Sequence, residues 1–487
     1  MSLSNLYGQS LSLLTDLYQL TMAYGYWKQG KADQQSVFHL FFRKNPFKGG
    51  YTVAAGLNLA IQYLESFSFE QDDVDYLATI TGNDGKPLFD PEFLRYLGDL
   101  SLTIDVDAMP EGTVAFPHQP ILRVRGPILQ AQLLETALLN IINFQTLIAT
   151  KSARICHSAG SQPVLEFGLR RAQGIDGSLS ASRAAYIGGC AATSNVLAGK
   201  LFGVPVKGTH AHSWIMSFDD ELEAFENYAH AMPNNCVFLV DTYDTLEGVK
   251  KAISVGLKLR ERGFEMVGVR LDSGDLAFLS IEARKLLDVA GFEKAVIVAS
   301  NDLDEHLIES LHRQGAKIAV WGVGTKLATA FDQPALGGVY KLGALRDEDG
   351  SWIPKVKLSE QLIKVSTPGV LQVRRFFDDQ RARADMIYDE SEELPANCVI
   401  VDPHDPSRQR KHGSEYRFED LLVPVFRGGE KTYTPPSLDE IRQRAQAQLS
   451  VFHSAILRLD NPHNYPVGLE ASLHQKKAKL VHELRGN

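Results

Sequence analysis

The 487-residue sequence is 44% hydrophobic and 22% charged, a balance typical of a water-soluble globular protein with two or three domains. Its net charge of −9 argues against a nucleic-acid partner. The sequence has no run of roughly 20 apolar residues, so we expect no membrane span. It also has no secretory signal pattern, so we do not expect secretion. The four cysteines are widely spaced and include no C-x-x-C pair, so they predict neither a disulfide framework nor a zinc site, and we expect a cytoplasmic protein.

The N-terminal part of the chain alternates between helical and strand patterns. Residues 11–28 show helical spacing, and residues 37–43 have the apolar pattern of a strand. Further strand pattern covers residues 114–127, and residues 128–157 return to helical spacing. We therefore predict that residues 1–127 form an N-terminal α/β domain.

From residue 163 onward, short apolar segments that each end in a polar cluster alternate with helical patterns. The segments are Val164–Arg171, Val204–Lys207, Cys236–Thr242, Met266–Asp275, Ala295–Asp302 and Ile318–Lys326. Buried strands that alternate with helices predict β/α units with a parallel sheet. Because polar clusters follow so many successive strands, we predict an irregular (β/α) barrel over residues 128–345, with the active site at the C-terminal ends of the strands.

The last part of the chain is richer in charge and proline. It contains strand patterns at residues 353–358 and 369–377 and a helical pattern from about residue 437 to 459. We predict that part of residues 346–430 joins the N-terminal segment, so that the two form one discontinuous α/β domain beside the barrel. Residues 431–487 are predicted to form a C-terminal helical tail.

Basic side chains gather at the predicted strand ends, although the protein is acidic overall. They are Arg170, Arg171, Lys207, Arg270 and Lys326. The planar fork of arginine suits carboxylates and phosphates, so such side chains on one face would fit a polyanionic ligand. The alternative is that each base pairs with a nearby acid such as Glu166 or Asp272.

Two further strand ends carry motifs with a chemical meaning. Gly322-Val323-Gly324-Thr325 precedes a helical pattern, and glycines there let backbone N–H groups approach phosphate oxygens. The alternative is an ordinary strand-to-helix turn. In the segment Arg270–Asp275 the acids suit ribose hydroxyls or magnesium and the arginine suits an anion, whereas the alternative for Asp275 is a helix cap.

Two histidines, His210 and His212, flank Ala211 at another strand end. A strand of period two would place both on one face. Imidazoles act as acids and bases, bind metals and attack phosphates as nucleophiles. The residue pattern alone does not choose among these roles.

Together, these segments resemble the nicotinate phosphoribosyltransferases, which belong to the type II phosphoribosyltransferases. The matching segments are Thr15–Gln19, Phe41–Lys44, Glu166–Arg171, Gly208–Ser213, Val269–Asp275, Gly322–Thr325 and Gly337–Leu342. The resemblance implies that nicotinate, phosphoribosyl pyrophosphate, ATP and water give nicotinate mononucleotide, pyrophosphate, ADP and phosphate, with magnesium. It also implies an irregular α/β barrel and a homodimer whose active sites take residues from both chains.

The resemblance implies catalytic roles for three residues. His212 matches the histidine that the family phosphorylates with ATP, whereas His210 lies where the family motif varies. Asp272 matches a ribose contact, and Arg270 matches an arginine near the ligand anion.

The residues that the resemblance places in contact with substrate form a larger set. They are Tyr18, Phe167, Arg170, Thr209, Arg270, Ser300, Gly322, Gly324 and Thr325. Tyr18 and Phe167 match the aromatic pair that sandwiches the pyridine ring, with Tyr18 contributed by the partner subunit. Arg170 and the 322–325 loop match phosphate contacts.

The segment Thr193-Ser194-Asn195 bears on the choice of pyridine. It matches the region in which the sister enzymes for nicotinamide have an aspartate, and it contains no carboxylate to repel nicotinate. The alternatives are nicotinamide or quinolinate phosphoribosyl transfer, a phosphate-binding lyase or aldolase barrel, and a nucleotide-binding barrel without catalysis. An aldolase needs a Schiff-base lysine, for which Lys207 and Lys326 are the candidates.

Overall fold

The computed structural model describes residues 7–8, 10–361, 364–403, 405–413 and 415–486. The chain forms two compact units: unit 1 comprises the described residues up to Leu147 and from Ala335 onward, and unit 2 is Ile148–Pro334. Both units combine helices with strands, and unit 2 contains a parallel sheet, so the α/β class is confirmed. Among the described residues, no helix is both long and apolar enough to cross a lipid bilayer.

Unit 2 is built on a six-stranded sheet in which every strand pair is parallel. In spatial order the strands are Ala192–Thr193, Val164–Glu166, Val320–Val323, Val296–Ala299, Gly268–Leu271 and Val237–Leu239. All but the first lie within the predicted apolar segments, because long apolar stretches between turn residues mark buried parallel strands. Since the strands are parallel, their carboxyl ends lie at the same edge of the sheet.

One predicted strand is wrong. Of residues 204–207, only Val206 joins the sheet, through a single parallel bridge to Thr193. Pro205 has no N–H to donate, so a regular ladder cannot continue through it. The neighbouring strand Ala192–Thr193 was not predicted, because two residues are too few to show a periodicity.

The helices of unit 2 connect these strands. They are Gly174–Ile187, Val196–Phe202, His212–Met216, Glu221–Ala231, Thr245–Glu261, Leu276–Val289, Glu305–Arg313 and Thr325–Ala328, with a 3-10 turn at Leu169–Arg171. Aspartate side chains at the starts of four helices accept hydrogen bonds from backbone N–H groups: Asp220, Asp244, Asp275 and Asp304. The predicted alternative for Asp275, a helix cap, is therefore confirmed.

Unit 1 contains two larger sheets and a small two-stranded one. The seven-stranded sheet has the order Trp352–Pro354, Gly338–Arg346, Gln35–Phe42, Leu122–Pro127, Asp105–Ala108, Val423–Arg427 and Glu430–Lys431. The six-stranded sheet has the order Gln409–His412, Cys398–Val401, Val467–Glu470, Arg381–Asp389, Leu371–Asp378 and Arg417–Asp420, and Thr52–Val53 pairs with Val114–Ala115. The helices of unit 1 are Leu17–Lys28, Leu57–Glu65, Gln71–Ala78, Pro91–Gly98, Ile128–Leu133, Leu438–Ser450 and Ala471–Arg485, with a 3-10 turn at Pro46–Lys48. The boundary between the units falls within the helix Glu135–Ala159.

Some segments lie elsewhere than the predicted domain limits placed them. Gly338–Arg346, assigned mostly to the barrel, pairs with Gln35–Phe42 in unit 1, and Ile128–Leu133 also lies in unit 1. The predicted helical tail, residues 431–487, contains the strand Val467–Glu470, which pairs on both sides within the six-stranded sheet. Apolar periodicity identifies an element but does not specify its neighbours, which explains the first two differences, whereas the four-residue strand Val467–Glu470 is too short to show a clear period.

Candidate active site

Arg270 is the centre of a hydrogen-bond network at the carboxyl edge of the parallel sheet. Its guanidinium donates from Nε to Ser300 Oγ at 2.8 Å, from Nη1 to Thr209 Oγ1 at 3.0 Å and from Nη2 to Asp272 Oδ1 at 2.9 Å. A guanidinium can make these bonds together because its five donors lie in one rigid plane. The network joins the ends of neighbouring strands and brings together four of the predicted site residues.

Asp272 is held as a carboxylate by this network. Burial by itself would raise its pKa, but the hydrogen bond from Ser300 and the charge of Arg270 outweigh burial, so the pKa lies below its usual value. Ser300 donates a short hydrogen bond to the same oxygen, Oδ1, that Arg270 contacts. The other oxygen, Oδ2, lies nearer to His212.

His212 begins the helix His212–Met216 and has different surroundings at its two ring nitrogens. Nδ1 lies 3.0 Å from Thr242 Oγ1, whereas Nε2 lies 3.7 Å from Asp272 Oδ2 and 3.9 Å from Asp241 Oδ1. The side chain is 38% exposed, so a ligand can reach it. The predicted site histidine thus lies beside Asp272 and faces a second carboxylate.

Asp241 is a site residue that sequence reasoning missed. Its Oδ2 accepts hydrogen bonds from the Asp272 N–H at 2.8 Å and from Ser273 Oγ at 2.6 Å. The side chain is only 1% exposed, and Oδ1 has no hydrogen-bond partner among the described residues. The available signal was its position shortly after a buried strand, similar to that of Asp272, which directly follows the neighbouring strand.

Phe167 packs directly against the glycine loop. A Cβ added at Gly322 would lie 2.7 Å from two ring carbons of Phe167, and one added at Gly324 would lie 3.1 Å from the Phe167 carbonyl oxygen. The Arg270 guanidinium lies 5.8 Å from the centre of the same ring. The glycines therefore have a packing role that sequence reasoning did not foresee, and Thr325 starts the short helix that follows them.

Arg170 and Arg171 have surroundings different from those of Arg270. Both lie in the 3-10 turn after Val164–Glu166, the first strand of unit 2 in the chain, and both side chains are exposed. Among the described residues, neither side chain has a hydrogen-bond or ion-pair partner. The alternative that strand-end arginines pair with nearby acids is therefore right for Arg270, which binds Asp272, and wrong for Arg170.

The carboxylate of Glu166 lies beside the segment Thr193–Asn195, a contact that the sequence did not predict. Glu166 Oε2 accepts hydrogen bonds from Thr193 Oγ1 at 2.6 Å and from Ser182 Oγ at 2.8 Å, and Oε1 accepts one from the Gly168 N–H. Glu166 is 1% exposed. Because donors already satisfy both oxygens, this carboxylate is shielded from an anionic ligand.

Tyr18 lies in unit 1, on the helix Leu17–Lys28, and the residue is 49% exposed. Partial burial, with a smaller contribution from the Glu135 carboxylate, raises its pKa. Leu17 and Met22 on the same helix are also exposed. The predicted contribution of Tyr18 to a partner's site remains a prediction.

Comparison with known proteins places this arrangement in a family. Models of the nicotinate phosphoribosyltransferase (NAPRTase) N-terminal domain, family and C-terminal domain match residues 13–143, 163–352 and 371–477, respectively.

The chain is 45% identical over 481 residues to a nicotinate phosphoribosyltransferase of Bacillus subtilis, covering 98% of this chain and 96% of that protein. It is 39% identical over 526 residues to nicotinate phosphoribosyltransferase 2 of Arabidopsis thaliana, covering 95% and 92%. The crystal structure of human nicotinic acid phosphoribosyltransferase superposes with a TM-score of 0.84 at 35% identity, covering 96% of this chain and 99% of that one. The resemblance of the motifs is thus confirmed, and this chain belongs to the nicotinate phosphoribosyltransferase family.

Proposed function

We propose that this protein is an ATP-coupled nicotinate phosphoribosyltransferase acting in the cytoplasm, at the first step of NAD formation from nicotinate. The proposed reaction converts nicotinate, phosphoribosyl pyrophosphate, ATP and water into nicotinate mononucleotide, pyrophosphate, ADP and phosphate. The observation that carries the proposal is the convergence of His212, Asp241, Asp272 and Arg270 at one edge of the parallel sheet in a chain of this family.

The proposed transfer depends on positioning and charge. As the bond between the ribose carbon and pyrophosphate breaks, positive charge develops on the ribose, so fixed dipoles and charges have their largest effect there. Asp272 accepts hydrogen bonds from ribose hydroxyls, and Arg270 faces the anionic ligand. Arg170 and the 322–325 loop bind phosphate, while Phe167 and the partner subunit's Tyr18 hold the pyridine.

His212 is the proposed acceptor of the γ-phosphoryl group of ATP. A nitrogen–phosphorus bond forms on the imidazole while the phosphorus–oxygen bond to ADP breaks, and water later cleaves the phosphohistidine to release phosphate. By analogy with other phosphorylated side chains, the modification adds about −1.5 to −2 charges near neutral pH. The exposure of the His212 ring and its contact with Thr242 support this role.

Magnesium is the proposed metal. Among the described residues, no cluster of three or more His, Cys, Asp or Glu side chains is arranged to hold a metal ion. Magnesium is usually bound through one or two carboxylates together with substrate phosphates. Asp241 and Asp272 fit that requirement, because both face the same nitrogen of His212 and none of the described residues donates a hydrogen bond to Asp241 Oδ1. Held there, the ion would neutralise the departing pyrophosphate.

The parallel sheet is proposed to be an interrupted barrel. Neighbouring strands of the sheet are mostly consecutive in the chain. In addition, the first strand of the sheet in sequence, Val164–Glu166, pairs with the last, Val320–Val323, as the first and last strands of a closed barrel do. Between Val206 and the strand Val237–Leu239, no strand pairing is found among the described residues. The ring is therefore open at this one position.

A homodimer with shared active sites is also proposed. The exposed Leu17, Tyr18 and Met22 on one helix of unit 1 support it, since apolar side chains at an exposed position suit a protein interface. Light scattering of the purified protein tests the dimer, and a monomeric mass at micromolar concentration would contradict it.

The test of the function is product formation together with protein labelling. Wild-type protein incubated with ATP labelled in the γ-phosphate should carry an acid-labile phosphate on histidine and form nicotinate mononucleotide. His212→Asn should lose the label and the ATP hydrolysis that accompanies product, whereas His230→Asn, at an exposed histidine on a nearby helix, should keep both. Coupled ATP hydrolysis in His212→Asn would contradict the role of His212, and a higher kcat/KM for nicotinamide would contradict the choice of substrate.

A further inference from the structure

His210 does not share the surroundings of His212. Its Nε2 accepts a hydrogen bond from the Leu239 N–H at 3.3 Å, and its ring packs edge-to-face on Tyr228 with ring centres 4.8 Å apart. Burial lowers the pKa of His210 to about 4, so the ring is neutral near pH 7. With Nε2 accepting, the single ring proton lies on Nδ1.

Leu239 lies at the open edge of the parallel sheet. Its strand Val237–Leu239 pairs with Gly268–Leu271 on one side, where the next residue, Val240, donates its N–H to the Arg270 carbonyl. Successive N–H groups of a strand point to opposite sides, so the Leu239 N–H points to the side on which no strand of the described residues pairs with Val237–Leu239. A carbonyl would accept this bond in a continuous sheet, and here the imidazole of His210 does so.

The backbone of His210 is tied to the catalytic network. Its carbonyl oxygen accepts a hydrogen bond from Thr209 Oγ1 at 3.3 Å, and Arg270 Nη1 lies at 3.5 Å from it. His212 follows two residues later. The ring of His210 thus contacts the unpaired strand edge, while its backbone belongs to the segment that carries Thr209 and His212.

We propose that His210 is a positioning residue that bridges the open edge of the parallel sheet. Its neutral imidazole takes the place of the missing strand as acceptor for the Leu239 N–H, and thereby fixes the backbone between Thr209 and His212. It does not touch the substrates. The catalytic consequence rests on the proposed function, whereas the edge hydrogen bond does not.

Two substitutions separate the acceptor from the ring. H210F keeps a flat ring against Tyr228 but has no acceptor, whereas H210Q presents an amide oxygen near the place of Nε2. In H210F, the peptide that contains Leu239 should gain about one rapidly exchanging amide hydrogen by mass spectrometry. We expect kcat for nicotinate mononucleotide formation to fall roughly tenfold, with KM within about twofold, because the reacting groups lose their alignment.

H210Q should restore the exchange and most of kcat, and H230F is the matched control because His230 is exposed on a neighbouring helix. Unchanged exchange in H210F, wild-type kcat in H210F, or an H210Q that behaves like H210F would each overturn the proposal. A wild-type Leu239 amide that exchanges at the unprotected rate would overturn it without any variant. If the wild-type protein shows no transferase activity, the proposed function fails, while the exchange measurement still decides the edge hydrogen bond.

Discussion

Two parts of the candidate site, called here its two halves, differ in how many of their polar groups are already paired, and His212 and Asp241 lie beside the first of them. In the hydrogen-bonded half, formed by Thr209, Arg270, Asp272 and Ser300, the guanidinium makes three side-chain hydrogen bonds before any ligand arrives. In the open half, formed by residues 167–171 and the 322–325 loop, Arg170 and Arg171 are exposed and unpaired within the described part of the chain.

This difference separates two kinds of contribution to catalysis. Groups that are already oriented need no reorganisation when charge develops, so they stabilise the transition state. Groups that become ordered only on binding lose side-chain entropy at that moment and mainly set affinity. We therefore expect substitutions in the hydrogen-bonded half to lower kcat and substitutions in the open half to raise KM.

The largest effect is expected for Arg270→Lys. An ammonium cannot reach Ser300, Thr209 and Asp272 together, so kcat/KM should fall about 10²- to 10³-fold, mostly in kcat. Steady-state kinetics measures this, and Arg284→Lys, on a helix away from the site, is the matched control. A loss of less than tenfold in Arg270→Lys would remove the distinction between the halves.

The second effect tests the contact between the glycine loop and the aromatic ring. In Gly322→Ala the added methyl would lie 2.7 Å from the Phe167 ring, so the ring must move. Overpacking of this kind typically costs about 1–3 kcal/mol, and we expect a lower Tm and a roughly tenfold higher KM for nicotinate. Gly177→Ala, where the added Cβ would meet no described residue within 4 Å beyond its own helical turn, should retain the wild-type KM. A wild-type KM in Gly322→Ala would show that the ring position does not matter.

A smaller, purely affinity-based effect is expected for Arg170→Ala. The side chain has no partner among the described residues, so Tm should not change. The KM for phosphoribosyl pyrophosphate should rise about tenfold with kcat within about twofold, as for the loss of uniform binding. Arg313→Ala, at another exposed arginine, should leave both constants unchanged. If kcat fell as far as in Arg270→Lys, Arg170 would belong with the hydrogen-bonded half.

The smallest effect is a shift of pH dependence in Ser300→Ala. Ser300 helps to keep the pKa of Asp272 below its usual value. The ionised carboxylate therefore stabilises the folded site at pH values above its unfolded-state pKa, and this stabilisation is lost as the pH falls through its folded-state pKa. Without the hydroxyl the pKa rises, and the acid limb of kcat/KM should move to higher pH while activity near pH 7 changes a few-fold. An acid limb at the wild-type pH would contradict this, and Ser310→Ala is the control.

The residue pattern by itself identified site residues that share one strand end, whereas contacts between different strand ends depend on which strands pair. Arg270 and Asp272 stand two residues apart, so one motif reveals both. Asp241 becomes a site residue only because Val237–Leu239 pairs with Gly268–Leu271, which places its carboxylate under the Asp272 N–H. Periodicity predicts strands but not their neighbours, so this contact could not be predicted.

The same limit explains the remaining differences. Glu166 was one of the acids offered as an alternative partner for the strand-end bases, but its Oε2 accepts hydrogen bonds from Ser182 and Thr193, which lie on other elements. The strand Gly338–Arg346 was assigned with the barrel because it follows it in sequence. Order along the chain is a fair guide within unit 2, where neighbouring strands are mostly consecutive, and a poor one in unit 1.

The seven-stranded sheet of unit 1 has a consequence for how the protein is made. The strand Gln35–Phe42 lies between Leu122–Pro127 and Gly338–Arg346, so the ribosome delivers one neighbour early and the other only after all of unit 2. Unit 2 is one continuous stretch and can complete its sheet while synthesis continues. Until Gly338–Arg346 has been synthesised, the strand Gln35–Phe42 has one unpaired edge, and such edges promote aggregation or chaperone binding. A truncation before residue 338 would leave the catalytic sheet whole and the other unit unfinished.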